Sequence, residues 1–290
     1  MDKKLYIDMF IAGFNEGDRK EVWVMGISVD KSNCSTTYES QITRQLLREG
    51  EDPTQASVKK RYIIANGKTP ALEELRQAIS TCKKCNPKCG KKKPGRIFGF
   101  GNINAELMII GEFPSPEDTR NQQPFSGWQG QILRQLLRIG GMPPELAYLT
   151  TAIKCNPSAF GKNSETNHGS QLIKCGIQCC EFLHKQIQTI RPSVILALGP
   201  IAFETLLGIK GVNISKARGH WYEWNGIPVM TTYSINQVLN STCEAIRKNF
   251  VDDLVKALQK LGLTLVRCQR AMIKKQLIEL LYSTSGSLKK

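Results

Sequence analysis

Val194-Ile-Leu-Ala-Leu198 is an unbroken apolar run, entered from Arg191-Pro-Ser and left at Gly199. A run this short, bounded by turn residues, reads as a strand buried on both faces. Three further runs share the pattern: Leu107–Gly111, Ala147–Ile153 and Pro228–Thr232. Helical stretches at Gly130–Ile139 and Gln171–Ile190 separate the first three in chain order, and Ile201–Leu207 follows the third. Strands alternating with helices predict an α/β fold, a three-layer α/β/α sandwich around a central, mainly parallel four-stranded sheet. Right-handed crossovers then bring every strand's C-terminal end, and any ligand, to one edge.

The flanks differ from this core. Residues 1–67 read as a small α+β appendage of unassigned role. Its expected parts are strands at Leu5–Phe14 and Val22–Val29, a polar helix at Tyr38–Glu51 and a short strand, Arg61-Tyr-Ile-Ile. Asp8 and Glu39 suggest nuclease ligands only weakly, because no third carboxylate follows the last strand. The main domain spans 68–262 and opens with Thr69-Pro-Ala-Leu-Glu-Glu-Leu, a capped helix start, in a helix running to about Ser80. A helix to about Leu261 closes it. Over 263–290 a second helix, with Ile273, Leu277, Leu280 and Leu281 on one face, suits docking to the domain or to a partner, and the last residues read as a disordered tail.

A formal net charge of +15 attracts polyanions, of which nucleic acid is the commonest. The densest group is Lys83, Lys84, Lys88, Lys91, Lys92, Lys93 and Arg96. A merely solubilising surface is the competing reading. No apolar run has the length of a membrane span and Met-Asp-Lys-Lys leads into no signal-type segment, so the expected setting is intracellular, at the nucleoid, without membrane contact.

The ten cysteines then point to metal ligands or buried thiols rather than disulfides. Cys82-Lys-Lys-Cys85 has chelating spacing directly after a helix, Cys155 ends the second strand, and Cys175 and Cys179 share a face of the long helix. Cys180 falls in the stripe of Ile173, Ile177, Leu183 and Ile187 as a small hydrophobe. Cys89 is a spare, and Cys34, Cys243 and Cys268 read as structural. Soft thiolates suit zinc and a [4Fe–4S] cluster alike.

The ordered series Ala71-Leu-Glu-Glu-Leu, Cys82-x-x-Cys85, Ile97-Phe-Gly-Phe-Gly-Asn, Ala105–Glu112, Glu117-Asp118, Gln123-Pro-Phe-Ser-Gly127, Tyr148–Cys155, Arg191–Gly199, Lys216-Ala-Arg-Gly219 and Pro228–Tyr233 resembles the iron–sulfur (family 4) uracil-DNA glycosylases over roughly residues 70–260. The resemblance implies a [4Fe–4S] cluster on Cys82, Cys85, Cys155 and Cys179, with Cys175 as the other choice for the fourth ligand. It implies DNA, single- or double-stranded, as partner, with phosphate contacts from Lys91, Lys92, Lys93, Arg96 and Arg218.

Excising a base requires flipping it out, stacking its face, reading its edge and stabilising the leaving anion. By resemblance Glu112 positions water, Phe125 stacks on the base, and Phe113 lies where the backbone approaches it. The family's edge-reading asparagine is Thr151 here, and its histidine is Ser234. Thr151 lacks an amide's paired donor and acceptor, and Ser234 lacks a tunable positive charge. Ser115 stands for a glycine and Asn240 for an arginine. Of the three histidines, His220 alone follows the Arg218-Gly219 turn and is the substitute to check.

Two functions follow. One is a divergent glycosylase hydrolysing the N-glycosidic bond of uracil or another altered base. The other is a catalytically inactive DNA-binding module, joined to a replication or repair protein through the N-terminal region or C-terminal helix. A zinc-stapled RNA-binding protein is a weaker third.

Overall fold

The computed structural model describes residues 21–24, 27–30, 68–85, 95–156, 168–263 and 267–285. The expected elements at Leu5–Phe14, Tyr38–Glu51 and Arg61–Ile64, together with Asp8, Glu39, Cys34, Cys89, Lys88 and Lys91–Lys93, lie outside the described residues. The stretch expected as one strand at Val22–Val29 is instead two. β1 (Glu21–Val24) and β2 (Ile27–Asp30) pair antiparallel, with Val24 opposite Ile27. The sequence between them is Met25-Gly26, and glycine is a preferred residue in a two-residue hairpin connection.

The main sheet has six strands rather than four, in the order β3-β5-β4-β6-β8-β7. Four are the apolar runs: β4 (Leu107–Gly111), β5 (Tyr148–Thr151), β6 (Val194–Leu198) and β8 (Ile227–Thr232), all mutually parallel. Two short antiparallel edges complete it, β3 (Phe100–Gly101) against β5 and β7 (Trp221–Trp224) against β8. At two exposed residues, β3 is too short for an alternation to register. β7 joins β8 through Asn225-Gly226, whose φ values of 48° and 81° are those of a tight hairpin turn. Asn-Gly before an apolar strand was the available signal for it.

Helices cover both faces, as the unbroken apolar strands require. Met108, Ile110, Ile195 and Ala197 face α1 (68–80), α4 (His168–Ile190) and α5 (Pro200–Leu207) through Leu72, Leu75, Ile79, Leu183, Ile187 and Phe203. Leu107, Ile109, Leu196 and Leu198 face α3 (Trp128–Ile139), α7 (Ile235–Asn240), α8 (Glu244–Lys260) and α9 (Arg267–Ser285). Two short helices remain, α2 (Pro116–Asn121) and α6 (Ile214–Ala217). The apolar face expected on the last helix docks to this domain: Leu277 and Leu281 are fully buried, and Lys274 pairs with Asp252 of α8. Among the described residues no helix is long and apolar enough to cross a membrane.

The end of β8 is tied to α8 by a buried ion pair. Asp253, fully buried, accepts from Thr232 Oγ1 at 2.7 Å and from Arg218 Nε at 2.6 Å, with Arg218 Nη2 on its second oxygen. Arg218 also donates to the Asn249 carbonyl. Removing one partner of a buried pair strands the other charge. Asp253→Ala should therefore cost about 3–5 kcal/mol, read by thermal unfolding as a fall of roughly 10 °C.

Candidate functional site

The parallel strand order places the ends of β4, β5, β6 and β8 on one edge. Between them lies a cleft of about 60 Å³ whose walls include Glu112, Phe113, Phe125, Thr151 and Ser234, every base-site residue expected from the sequence. Ser115, Asp118, Gln129 and Asn236 line it as well.

Phe125, expected to stack on the base, is held under strain. Phe125 has φ +54°, the left-handed region, and Arg134 Nη1 donates to its carbonyl at 2.8 Å. Its ring lies against Gly111 so closely that a Cβ there would come within 2.6 Å of Cζ. Buried Asp118 fixes both loops at once. It accepts Ser126 N–H at 2.7 Å and Ser126 Oγ–H on one oxygen, and Ser115 N–H at 3.0 Å on the other. Ser115, standing where the family has glycine, accepts the Asp118 N–H and caps α2 in return.

Glu112 follows β4 directly and turns toward α5. Gly199, at φ +96°, admits it; a Cβ there would lie 2.5 Å from the Glu112 carboxyl carbon. The Ile201 N–H donates to Oε1 at 3.2 Å. Burial raises the carboxyl pKa to about 7, the Ile201 bond opposes the rise, and nearby Glu204 adds to it. A carboxyl that exchanges its proton near neutrality suits general acid–base work.

Thr151 is 2% exposed, and its Oγ1 is buried without a hydrogen-bond partner. Beneath it lies Lys154, wholly buried, donating to Thr151 O at 2.6 Å, Thr150 Oγ1 at 2.8 Å and Gln186 Oε1 at 2.5 Å. Burial brings the Lys154 pKa down to about 7. This lysine passes as surface charge in the sequence, yet it fixes the strand end that carries Thr151. Ser234 caps α7, accepting from Gln237 N at 3.3 Å. His220 is exposed and is not among the residues lining the cleft.

The cysteines gather on the far side of Phe113, which packs against Ile153, Cys175 and Cys179. Cys155, Cys175 and Cys179 are buried and Cys85 is half-buried. Cys85 makes thiol contacts with both Cys175 and Cys179; chiefly the Cys175 contact, with burial adding, pushes its pKa up to about 12. Contact with Cys85, then burial, raises Cys179 still further. Cys82 is half-buried and packs beside the α1 cluster, its Sγ accepting the Lys84 N–H. Among the described residues no group of three or more His, Cys, Asp or Glu side chains forms a metal cage.

Arg96 is part of this arrangement. It donates to the Ser80 carbonyl at 3.0 Å and to that of Cys82, while its backbone bridges Cys155. Lys84 pairs with Glu181 of α4 at 2.6 Å. These contacts seat the Cys82–Cys85 loop on the end of β5, so Arg96, like Arg218, has an intramolecular role that the sequence did not announce. Cys180 departs from its expected place in a buried stripe. It is half-exposed beside Ile177, itself 47% exposed, because α4 turns Cys175, Cys179, Leu183 and Ile187 inward instead. Cys243 is exposed at the start of α8.

The family model of the uracil DNA glycosylase superfamily matches residues 98–261. A type-4 uracil-DNA glycosylase of Thermotoga maritima is 31% identical over 188 residues, 64% of this chain and 94% of the relative. One of Saccharolobus solfataricus is 30% identical over 199 residues, 66% of this chain and 87% of the relative. A DNA polymerase of Bacillus phage SP01 is 27% identical over 163 residues, 56% of this chain and 16% of the polymerase.

Proposed function

The chain belongs to the uracil-DNA glycosylase superfamily, and from that footing we propose that its cleft takes up uracil or another altered base extruded from DNA and hydrolyses the N-glycosidic bond. The observation that carries this reading is the convergence of a near-neutral carboxyl, an aromatic ring and an unpartnered buried hydroxyl in one cleft at the strand ends. In the proposed reaction the flipped base stacks on Phe125, and the Thr151 and Ser234 hydroxyls donate to its oxygens. Ionised Glu112 takes a proton from water as the water oxygen bonds to the sugar C1′. The C1′–N bond breaks and its electron pair leaves with the base as an anion. The basic surface holds the phosphates, with Lys91, Lys92 and Lys93 as contacts.

The cysteines supply the donor type that the family's [4Fe–4S] group takes: Cys85 contacts Cys175 and Cys179, and Cys155 lies near enough to act on Cys85 electrostatically. In this proposal Cys82, Cys85, Cys155 and Cys179 hold it, with Cys175 adjacent, and zinc is the other metal such thiolates accept. The bound cluster would supply a structural clamp on the loop that leads into the lysine-rich segment.

A second reading rests on the similarity to a segment of a phage DNA polymerase together with Thr151 and Ser234: a non-catalytic DNA-binding module serving replication. Single-turnover assays on uracil-containing single- and double-stranded oligonucleotides separate the two. The glycosylase reading expects product from the unaltered chain, and a rate about 10- to 100-fold higher in the Thr151→Asn/Ser234→His double variant. Product from the double variant alone would establish the module reading.

A further inference from the structure

The cleft is lined by an amide, Asn236, that the sequence did not mark as a site residue. Thr151 ends β5, while Ser234 and Asn236 follow β8, and in the order β5-β4-β6-β8 two strands lie between them. Three strand spacings of about 4.8 Å put these walls roughly 14 Å apart, backbone to backbone. Side chains reaching inward from both walls, with hydrogen bonds of about 2.9 Å at each end, leave a gap that one planar base bridges. The Thr151 wall offers a single hydroxyl, buried and unpartnered. On the opposite wall Ser234 Oγ accepts the Gln237 N–H in capping α7, which leaves it a single O–H to donate. Asn236 is the amide there, and among the described residues its side chain makes no hydrogen bond. Gln129 also lines the cleft, but it sits in the first turn of α3, on the Phe125 side where the base's face would lie rather than its edge.

Resting on the reading of the cleft as a base pocket, we propose that Asn236 is the specificity-determining residue. Its carboxamide pairs a donor and an acceptor with the lactam edge, an N–H beside a C=O, that deaminated bases present. The edge-reading amide has in effect changed walls, from the end of β5 to the first turn of α7. A carboxamide matches an adjacent donor and acceptor with both bonds at once, and does so at any pH. Thr151 then makes a single hydrogen bond at the other end of the base.

The test measures affinity for oligonucleotides carrying 2′-fluoro-2′-deoxyuridine, which resist cleavage, against the same sequence without the altered base. The unaltered chain should prefer the uracil-bearing strand. Asn236→Ala should lower that preference about 10- to 100-fold with affinity for the unmodified strand unchanged, and Asn236→Asp, which lacks the donor, should not restore it. An Asn236→Ala chain that keeps its full preference overturns the assignment while leaving the base pocket standing. Equal loss on both strands overturns it in favour of a structural role. Absence of any preference in the unaltered chain defeats the base-pocket reading itself, and the assignment with it.

Discussion

Replacing Glu112 by glutamine is expected to slow single-turnover base excision about 100- to 1,000-fold while making the protein more stable above neutral pH. Both effects have one cause. The carboxyl is buried beside Gly199 and Ile201 with one N–H donor, and its pKa is raised to about 7. In the unfolded chain it ionises near 4.5. The folded state therefore loses stability as pH rises from about 4.5 to about 7, and the loss is complete above that window. A shift of this size corresponds to roughly 3 kcal/mol. Glutamine keeps the acceptor for the Ile201 N–H, carries no charge and removes the penalty. Thermal unfolding at pH 8 should show Glu112→Gln melting several degrees above the unaltered chain, with the two converging near pH 4. Because the ionised form is the one that accepts a proton from water, the excision rate should climb with pH through about 7 and flatten above it. A Glu112→Gln chain with an unchanged rate would remove Glu112 from the chemistry. Equal stability at pH 8 would remove the buried charge.

Loss of Cys155, by contrast, should damage the fold. The residue is buried where Arg96 and Ile97 pair with the chain just after β5, and it lies close enough to Cys85, which contacts Cys175 and Cys179, to act on that thiol electrostatically. A bound cluster would hold its thiols ionised and tie these elements together; in its absence, contact between Cys85 and its neighbouring thiols, with burial, favours the protonated form of Cys85 and Cys179. Cys155→Ala is expected to abolish iron and acid-labile sulfide in protein isolated without oxygen, and to cost on the order of 5 kcal/mol or more. Cys179→Ala should do the same, whereas Cys175→Ala should retain iron and sulfide. Stoichiometric zinc without sulfide in the unaltered chain would replace the cluster by a zinc site. Retention of iron by Cys179→Ala with its loss in Cys175→Ala would exchange the two roles.

The strands buried on both faces were readable because their signal is local. β4 and β6 run over the expected residues because an unbroken apolar run has few other uses in a chain of this composition. β7 was missed although Asn225-Gly226 announced its turn; its half-exposed Trp221-Tyr-Glu-Trp224 does not look like a core strand. The site divides along the same line. Glu112, Phe125, Thr151 and Ser234 were legible as motif positions following strands, and the strand order brings them together. Asn236, Gln129 and Lys154 were not, since which polar groups share a cleft, or lie beneath one, depends on packing between distant segments. Arg96 and Arg218 show the converse. Each is expected to contact phosphate, yet backbone carbonyls near one and Asp253 beside the other draw both guanidinium groups inward.

On the proposed reading an extruded base enters between Phe125 and the ends of β5 and β8. A crystal structure of the chain with a 2′-fluoro-2′-deoxyuridine oligonucleotide tests it directly, whether or not the chain is a catalyst. That complex should show an unstacked uracil with its face on Phe125, one edge at Thr151 and the other at Asn236. DNA bound with every base stacked and the cleft closed would contradict it.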